Sequence, residues 1–346
     1  MMKKGSVCII IVLYLGITFT QSLSAFQFEN SSNKMLIKNY DGITLYVGGD
    51  GPGNYSKIQD AINNASEGDS IFVFHGIYYE VVSISKQLYI RGEGKEITII
   101  DAQKKGYSVN ISANGVTISG FTIQNGSYSS NIVNEANLFI LSSDNIIIGN
   151  NFKYSESGIM IYASDGNIIS ENIMSNNGIG LWLSGSKNII TKNLITNNSD
   201  MGIDTFGLAN IISENIITNN KGTGLYLVDS SKNNITDNEI SNNSIGIILT
   251  WNRDNDQNRD NVILRNNLRN NTNGNAKFAE HNGFYGENIW KNNFWGKSRI
   301  FPKPIPGLKQ TRFYYPTPFG ALWFFIPWFN FDWHPARQPY NISIPI

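Results

Sequence analysis

Cysteine, histidine and charged residues are all scarce in this chain. Its 346 residues include one cysteine, three histidines and 16% charged residues, against 41% hydrophobic residues. The cysteine, Cys8, lies in an N-terminal apolar run, so disulfides are not expected to stabilise the folded part. No basic cluster marks a surface for nucleic acid, and we expect no nucleic-acid partner.

Long hydrophobic runs are also lacking, apart from one at the N-terminus. Two lysines precede the apolar run Val7–Phe19, which is followed by the small residues of Ser22–Ala25. This order is typical of a secretory signal peptide. The run is short for a membrane-spanning helix, and its retention as an anchor is the alternative. The sequence thus predicts a signal peptide over 1–24 and a linker over 25–42.

Export determines the expected compartment and leaves a nearly neutral mature chain. Two of the 27 basic residues leave with the signal peptide, so 25 remain against 27 acidic residues. We expect a secreted, extracellular or cell-surface protein, or a periplasmic one in a bacterium with two membranes. The mature chain should have no membrane span, and its oligomeric state stays open.

Two patterns share one period in the middle of the chain. The first, Asn-x-Ile-x-x-Asn-x-Ile-x-x-Asn, advances by 22, 21, 22 and 23 residues, and its successive copies begin at Asn145, Asn167, Asn188, Asn210 and Asn233. The second is a glycine followed by an alternating apolar strand. It recurs every 22 residues, at Gly158, Gly180, Gly202, Gly224 and Gly246.

This period predicts an all-β fold, a single-stranded right-handed parallel β-helix over residues 43–300. The segments between asparagines and glycines are too short for helices and are rich in isoleucine, which favours strands. A unit of this length cannot bury its own apolar face, so roughly ten coils must stack. We expect the asparagines to pass amide hydrogen bonds from coil to coil. The expected core column is Ile169, Ile190, Ile212, Ile235 and Ile263.

A short helix near Ser56–Ala65 is predicted to cover the first coil. Ser56 is a suitable N-cap residue. Covering an open sheet edge prevents unwanted pairing with other chains. The predicted apolar face of the helix is Ile58, Ala61, Ile62 and Ala65.

The composition changes near residue 300. Nine of the ten prolines lie between Pro302 and Pro345, and five of the seven tryptophans lie at or after Trp290. Proline cannot donate to a strand ladder. We therefore expect the β-helix to end there and residues 301–346 to form a capping tail rich in proline and aromatic residues.

Three stretches resemble known proteins. The segment Leu45–Asp101 resembles the opening of pectate-lyase-like β-helix proteins, and the asparagine repeats resemble the NosD-type family. The ending Phe331–Ala336 with Pro339–Tyr340 is similar to tails of archaeal surface members of that family. The resemblance implies the fold strongly and the function weakly, because this fold carries lyases, hydrolases, epimerases, adhesins and scaffolds.

One outward column of the glycine strands is unusually apolar. Aromatic faces beside a carboxylate suit sugar stacking and hydroxyl binding. The alternatives are that the aromatic tail packs over this column, which we expect, or that another subunit does. The column comprises Met160, Trp182, Asp204, Tyr226 and Ile248, flanked by Tyr162 and Phe206. The candidate substrate-binding residues are Trp182, Asp204, Tyr226, Tyr162 and Phe206.

A second column alternates in charge and predicts a surface ladder of salt bridges. Such pairs contribute about 0–1 kcal/mol each. The column comprises Glu171, Lys192, Glu214, Asp237 and Arg265.

An insertion near residue 256 offers oxygen ligands at alternate positions and resembles the opening of a calcium loop. It lacks the sixth-position glycine, where Arg259 stands, and Arg265 replaces the closing acid. A polar loop is the alternative to a Ca²⁺ site. The candidate metal ligands are Asp254, Asp256, Asn258 and Asp260.

Two classes of function remain open. One is a non-catalytic surface scaffold that contacts a polysaccharide or cell-surface glycan, and this is the expectation. The other is a polysaccharide-active lyase, epimerase or hydrolase. Copper handling is not expected despite the NosD resemblance, because the histidines and methionines lie far apart in sequence.

Overall fold

The computed structural model describes residues 42–127, 135–250, 259–281, 287–314 and 321–344. The predicted signal peptide and almost all of the linker lie outside the described residues. Strands recur with the sequence period and form three long sheets. Neighbouring strands pair in parallel except in the last hairpin. The chain is a right-handed parallel β-helix, as predicted.

Each coil contributes one strand to each of three sheets, called sheets I, II and III. Sheet I contains β1 (Thr44–Val47), β2 (Ser70–Val73), β5 (Tyr89–Gly92), β8 (Thr117–Ser119), β11 (Ile146–Ile148), β14 (Ile168–Ser170), β17 (Ile189–Thr191), β20 (Ile211–Ser213), β23 (Asn234–Thr236), β26 (Val262–Leu264) and β29 (Ile289–Lys291). Sheet II contains β3 (Gly76–Tyr78), β6 (Thr98–Asp101), β9 (Thr122–Gln124), β12 (Asn151–Lys153), β15 (Ile173–Ser175), β18 (Leu194–Thr196), β21 (Ile216–Thr218), β24 (Glu239–Ser241) and β27 (Asn267–Arg269).

Sheet III has the longest strands and includes the C-terminal hairpin. It contains β4 (Val82–Ile84), β7 (Val109–Ile111), β10 (Ala136–Ile140), β13 (Ser157–Ile161), β16 (Ile179–Ser184), β19 (Ile203–Phe206), β22 (Thr223–Val228), β25 (Ile245–Thr250), β28 (Ala276–His281), β30 (Lys303–Tyr314) and β31 (Ala321–Asp332).

The core is a stack of apolar columns, one from each sheet. In sheet I the register joins the predicted isoleucines coil by coil. Successive side chains of a strand point to opposite faces, so one face of every strand can be buried in the core. All five isoleucines are fully buried, which confirms the predicted column: Ile169, Ile190, Ile212, Ile235 and Ile263.

Three columns of buried asparagine run along the corners of the β-helix. In each column the side-chain amide donates to the carbonyl oxygen of the asparagine in the next coil, as Asn193 does to Asn215 at 2.9 Å. The same oxygen accepts the backbone N–H of the preceding asparagine, at 3.0 Å in this pair. The amide also donates inward to a strand carbonyl, from Asn215 to Ile190 at 2.8 Å. The asparagine side chains thus bind the backbone polar groups at the bends, which lie outside the sheets and have no strand partner.

The left-handed backbone at each bend belongs to the residue before the ladder asparagine. The preceding positions have φ near +56°, for example at Lys192 and Glu214. Their side chains point outward and are free to vary. We predicted a ladder of salt bridges in this column. Among the described residues of the column, one ion pair is present, between Asp237 and Arg265 at 2.5 Å.

The N-terminal helix α1 (Ile58–Asn64) packs on the first coil, and its predicted apolar face is buried. Ser56 is not its cap, contrary to prediction. Glu80, from the following coil, accepts the N–H groups of Ile58 and Gln59 at 2.8 and 3.1 Å. Lys86 donates to three carbonyls at the other end of the helix. A neighbouring coil therefore caps both ends.

The tail continues sheet III instead of ending it, so the expected stop near residue 300 is wrong for this sheet. Strand β30 pairs in parallel with β28 from Gly307 onward. Pro304 and Pro306 precede that pairing, and Pro327 lies in β31, the edge strand. Proline is tolerated at such places because no donor is needed there.

Asp332 closes the middle asparagine column at the C-terminal end. Its buried carboxylate accepts the N–H groups of Asn292 and Asn293 at 3.1 and 2.8 Å. It also accepts from the indole of Trp295 at 3.0 Å. Further along, Tyr340 exchanges two hydrogen bonds with Asn267. The last turn of the tail therefore takes the place of the next coil.

We expect that replacing one ladder asparagine will strongly destabilise the protein. Asn215→Ala removes the acceptor of two donors from Asn193 and the donor to Ile190. A buried group left without its partner costs about 1–3 kcal/mol, so a loss of several kcal/mol in the free energy of unfolding should follow. Denaturant titration followed by circular dichroism measures it.

Asn219→Gly is the matched control. Asn219 is an exposed asparagine with φ +59°, one residue before a ladder position. Glycine retains that conformation, and the change should stay within about 1 kcal/mol. Equal effects of the two substitutions would contradict a special role for the buried ladder.

Candidate functional site

The candidate site lies on the outer face of sheet III, where the glycine strands run. The register aligns the predicted outward column residue by residue. Adjacent members are about 4.8 Å apart along the helix axis. In order of coils the column contains Phe139, Met160, Trp182, Asp204, Tyr226, Ile248 and Lys277.

The repeated glycine at the start of the strands β13, β16, β19, β22 and β25 is required by close approach. A Cβ atom on Gly202 would lie 2.5 Å from the carbonyl oxygen of Gly224 and 2.6 Å from the side chain of Ile217. The third asparagine column also passes close by, with Asn220 at 3.1 Å. The bend is thereby fixed at each coil that carries this glycine. The alternation that follows then places one column inward and the next outward.

Three rings form a row across adjacent coils, called the aromatic row: Tyr162, Trp182 and Phe206. The ring of Trp182 is stacked on Tyr162 with centroids 6.1 Å apart and planes 12° apart. On its other side Phe206 lies at 5.7 Å and 42°. Tyr162 is 49% exposed, and the other two are half-buried. The structure thus brings three of the predicted residues into contact.

The expectation that the tail packs over this column is wrong for the described residues. Strand β30 extends sheet III beyond β28, at the C-terminal end, and does not lie on its face. Met160 is also not part of the exposed surface, since only 2% of it is accessible. Within the predicted column, the partly exposed side chains therefore begin at Trp182.

Asp204 lies between Trp182 and Tyr226 and is the unusual electrostatic feature of this face. Only 8% of the residue is exposed, and its Oδ1 atom has no hydrogen-bond partner among the described residues. Burial, with a smaller effect from the charge of Asp200, raises the pKa of this carboxyl to about 7. Near neutral pH the group is therefore a mixture of carboxylate and carboxylic acid.

Tyr226 shares the environment of Asp204. Burial, then the charges of Asp204 and Asp229, raise the pKa of its hydroxyl above the ordinary value. The phenol stays protonated at neutral pH and can donate a hydrogen bond. A carboxyl and a phenol side by side can bind hydroxyl groups or move a proton.

A second pair of rings on this side of the β-helix was not predicted from the sequence. Tyr107 and Phe139 stack with centroids 4.4 Å apart, on the two coils directly before the aromatic row. The glycine column is broken there, because the buried Asn137 occupies the corner and hydrogen-bonds to Asn177 at 3.3 Å. The alternating apolar residues of β10 could have indicated in the sequence that Phe139 lies on this face.

A polar groove of about 480 Å³ runs along the corner where the strands of sheet III begin. Its charged lining residues are Lys104, Glu135, Glu156 and Lys221, and most of the other lining residues are asparagines and serines. The groove follows the same coils as the aromatic row. It adds hydrogen-bonding capacity beside an apolar surface.

The calcium prediction falls mostly outside the described residues, which exclude Asp254, Asp256 and Asn258. Asp260 is described, with φ +58° directly before the ladder asparagine Asn261. Unrelated residue types occupy the equivalent bend elsewhere, so this position is structural. A Ca²⁺ site stays a prediction.

Taken together, the stacked coils and the open outer sheet define a right-handed parallel β-helix protein with an aromatic surface. The profile of the family described as "Periplasmic copper-binding protein (NosD)" matches residues 62–301, and the chain belongs to that family. No curated protein sequence matches it.

Several solved structures are similar to this chain at low identity. The pectin methylesterase of Aspergillus niger is 15% identical, with 67% of this chain and 85% of that chain covered and a TM-score of 0.47. Pectate lyase Pel9A is 14% identical, with 73% and 74% covered and a TM-score of 0.45. The A-module of the Azotobacter vinelandii mannuronan C-5 epimerase AlgE6 is 13% identical, with 68% and 86% covered and a TM-score of 0.41.

The family description names copper, but the described donors do not fit a copper centre. His75 is paired with Glu93 at 2.9 Å on the first coils, whereas His334 follows the last strand. Met160 and Met174 are buried in the β-helix. Among the described residues no three histidine, cysteine or carboxylate side chains are grouped as metal ligands.

The pKa of Asp204 predicts an unusual dependence of stability on pH. The folded state holds the proton up to about pH 7, whereas the unfolded chain releases it near its ordinary pKa of 3.8. Stability should therefore fall as the pH rises from about 4 to about 7 and stay low above, by up to about 4 kcal/mol. Unfolding midpoints at several pH values measure this.

Asp204→Asn should flatten that profile and stabilise the protein at alkaline pH, because the neutral amide needs no desolvated charge. Glu214→Gln, at an exposed acid, is the control and should leave the profile unchanged. A wild-type protein that gains stability from about pH 5 to about pH 8 to the same extent as the Asp204→Asn variant would contradict the assignment.

Proposed function

We propose that this protein is an exported β-helix scaffold whose sheet III binds a glycan on its outer face, without catalysing a reaction. The aromatic row is the observation that carries this proposal. Its three rings are partly open to solvent and are held by a sheet whose register is fixed by the asparagine columns. Rigid aromatic surfaces bind sugar rings because they present apolar area with little loss of conformational entropy.

Polar groups at suitable positions support the same proposal. Asp204 and Tyr226 lie next to the row in the strand register, and the partly exposed Tyr226 carries a hydroxyl group that could bind a sugar. The polar groove along the neighbouring corner could receive hydroxyl groups from a second part of a chain-like ligand. An extended surface of this kind suits a polysaccharide better than a small molecule, since the rings are partly open to solvent and follow three successive coils.

The compartment we propose is the cell exterior, the cell surface, or the periplasm of a bacterium with two membranes. The N-terminal charge and hydrophobicity pattern supports export, and the name of the family refers to a periplasmic protein. No helix among the described residues is long and apolar enough to cross a membrane.

Material recovered from outside the cytoplasm should begin near Ala25 or Phe26. Edman degradation or mass spectrometry of the N-terminal peptide measures this. Recovery of exported protein that begins at residue 1 and partitions with membranes would instead indicate a retained anchor.

A polysaccharide-active lyase, epimerase or hydrolase is the second candidate. The observation that favours it is Asp204, whose pKa near neutrality suits general acid or base catalysis. The neighbouring hydroxyl of Tyr226 could serve as a proton donor. Asp204 would hold or release the proton at Oδ1, the atom without an intramolecular partner.

Trp182→Ala should abolish glycan binding with only a modest loss of stability. The ring is central to the aromatic row but is half-buried, so the substitution should cost less than the roughly 3–5 kcal/mol typical of a fully buried aromatic residue. Affinity electrophoresis against neutral and acidic polysaccharides measures binding, and thermal unfolding measures stability.

Tyr79→Ala is the control, because Tyr79 is 62% exposed on an early coil away from the row. The same incubations should be assayed for new reducing ends and unsaturated products. Product formed by the wild type and lost in Asp204→Asn would establish the enzyme instead of the scaffold. Unchanged binding by Trp182→Ala would rule out the aromatic row as the glycan surface.

A further inference from the structure

A second cavity lies at the C-terminal end of sheet III, outside the candidate glycan surface. It has a volume of about 200 Å³ and is bounded by the turn before β28 and the start of β30. Three cationic side chains line it, Lys277, Arg299 and Lys303. Trp295 and prolines 304 and 306 form its apolar wall. We call this cavity the basic pocket.

The positive charge of the basic pocket is not neutralised within its lining. None of its described lining residues is acidic. The Nε atom of Arg299 is buried and has no hydrogen-bond partner among the described residues. Burial, then repulsion from Arg299 and Lys297, lowers the pKa of Lys303. A buried guanidinium donor without an acceptor needs a partner, and among three cations an anion is the partner that the charge favours.

The wall of the pocket is rigid. The indole of Trp295 is only 4% exposed and donates to the buried Asp332 at 3.0 Å. That carboxylate also accepts two backbone N–H groups of the last ladder turn, so it is committed to the cap. The ammonium of Lys303 lies 5.8 Å from the centre of the same indole ring. The lysine is thus held at the pocket without a carboxylate partner.

We propose that the basic pocket binds a divalent oxoanion, a phosphate or sulfate group. Three cations converge on a volume suited to one small group and below the range of pockets for larger ligands. Arginine and lysine donors match the oxygen atoms of such anions. A divalent anion offsets more of this charge than a single carboxylate would.

The anion could be free in solution or carried on a surface polymer. Lys277 stands in the same outward column as Tyr226, two strands further along, at about 10 Å. A glycan lying on the aromatic row could therefore place a phosphate or sulfate substituent in the pocket. Binding of the free anion does not depend on the proposed glycan function.

Calorimetry of the full chain with inorganic phosphate and with inorganic sulfate at low ionic strength tests the proposal. The wild type should bind both anions, and chloride at matched ionic strength should not compete. The double variant Arg299→Gln/Lys303→Gln should lose at least about tenfold in affinity. Its fold should persist, because it removes mutual repulsion between neighbouring, partly buried cations.

The control is Lys187→Gln/Lys291→Gln, which removes the same charge at two exposed sites outside the pocket. It should change the affinity by less than about twofold, which separates a built site from general attraction. Lys277→Gln provides a single change at an exposed lining residue and should weaken binding partially. Absence of binding by the wild type, or equal loss in both double variants, would overturn the proposal.

Glucose 6-phosphate, compared with inorganic phosphate, distinguishes the two sources. Tighter binding of the sugar phosphate would assign the pocket to a polymer-borne group, and equal binding would assign it to the free anion. If Trp182→Ala lowers neutral glycan binding while phosphate binding is absent, the glycan proposal stands and the oxoanion site fails. Phosphate binding without any glycan binding gives the opposite result.

Discussion

The fold depends on a side-chain amide that reaches from one coil to the next. A ladder asparagine such as Asn215 accepts two hydrogen bonds from the coil before it and donates one to the asparagine of the coil after it, while a fourth bond fixes a strand carbonyl. Since the bends leave the sheets, their backbone groups would otherwise be buried without partners. The amides replace the sheet at the corners and hold the coils at one spacing. Parallel strands of three residues can then pair without slipping.

A structure built this way is sensitive at its two ends, where the ladder and the sheets have no further coil. Two carboxylates and a lysine cap the open ends of the β-helix. Glu80 and Lys86 fix the short helix over the first coil, and Asp332 substitutes for the next asparagine of the middle column. In sheet III the hairpin of β30 and β31 extends the ladder and ends it at a proline-containing edge. Each end uses groups that would be costly to bury elsewhere and that here satisfy open donors or acceptors.

Because the corners and the core set the fold, the outward faces can vary from coil to coil. The outer face of sheet III carries two groups of residues that the fold itself does not require. In its middle, Trp182 stacks between rings from the coils on either side, next to a desolvated carboxyl at Asp204. At the C-terminal end of the sheet, three cationic side chains line the basic pocket, and none of its described lining residues is acidic. Both features work against stability, since one is an incompletely satisfied acid and the other is uncompensated charge. Such departures are expected where a protein binds something.

The sequence by itself determined the period, the strand positions, the inward isoleucine column and the outward alignment of Trp182, Asp204 and Tyr226. These follow from local spacing, because a fixed repeat and a two-residue alternation leave one way to stack. Only the tertiary structure decided that Glu80 caps the helix, that the tail extends sheet III, and that the aromatic row is open. The tertiary structure also places Arg299, Lys303 and Lys277 around one pocket. These contacts join residues from different coils or from beyond the repeats, where no periodic pattern relates one position to another.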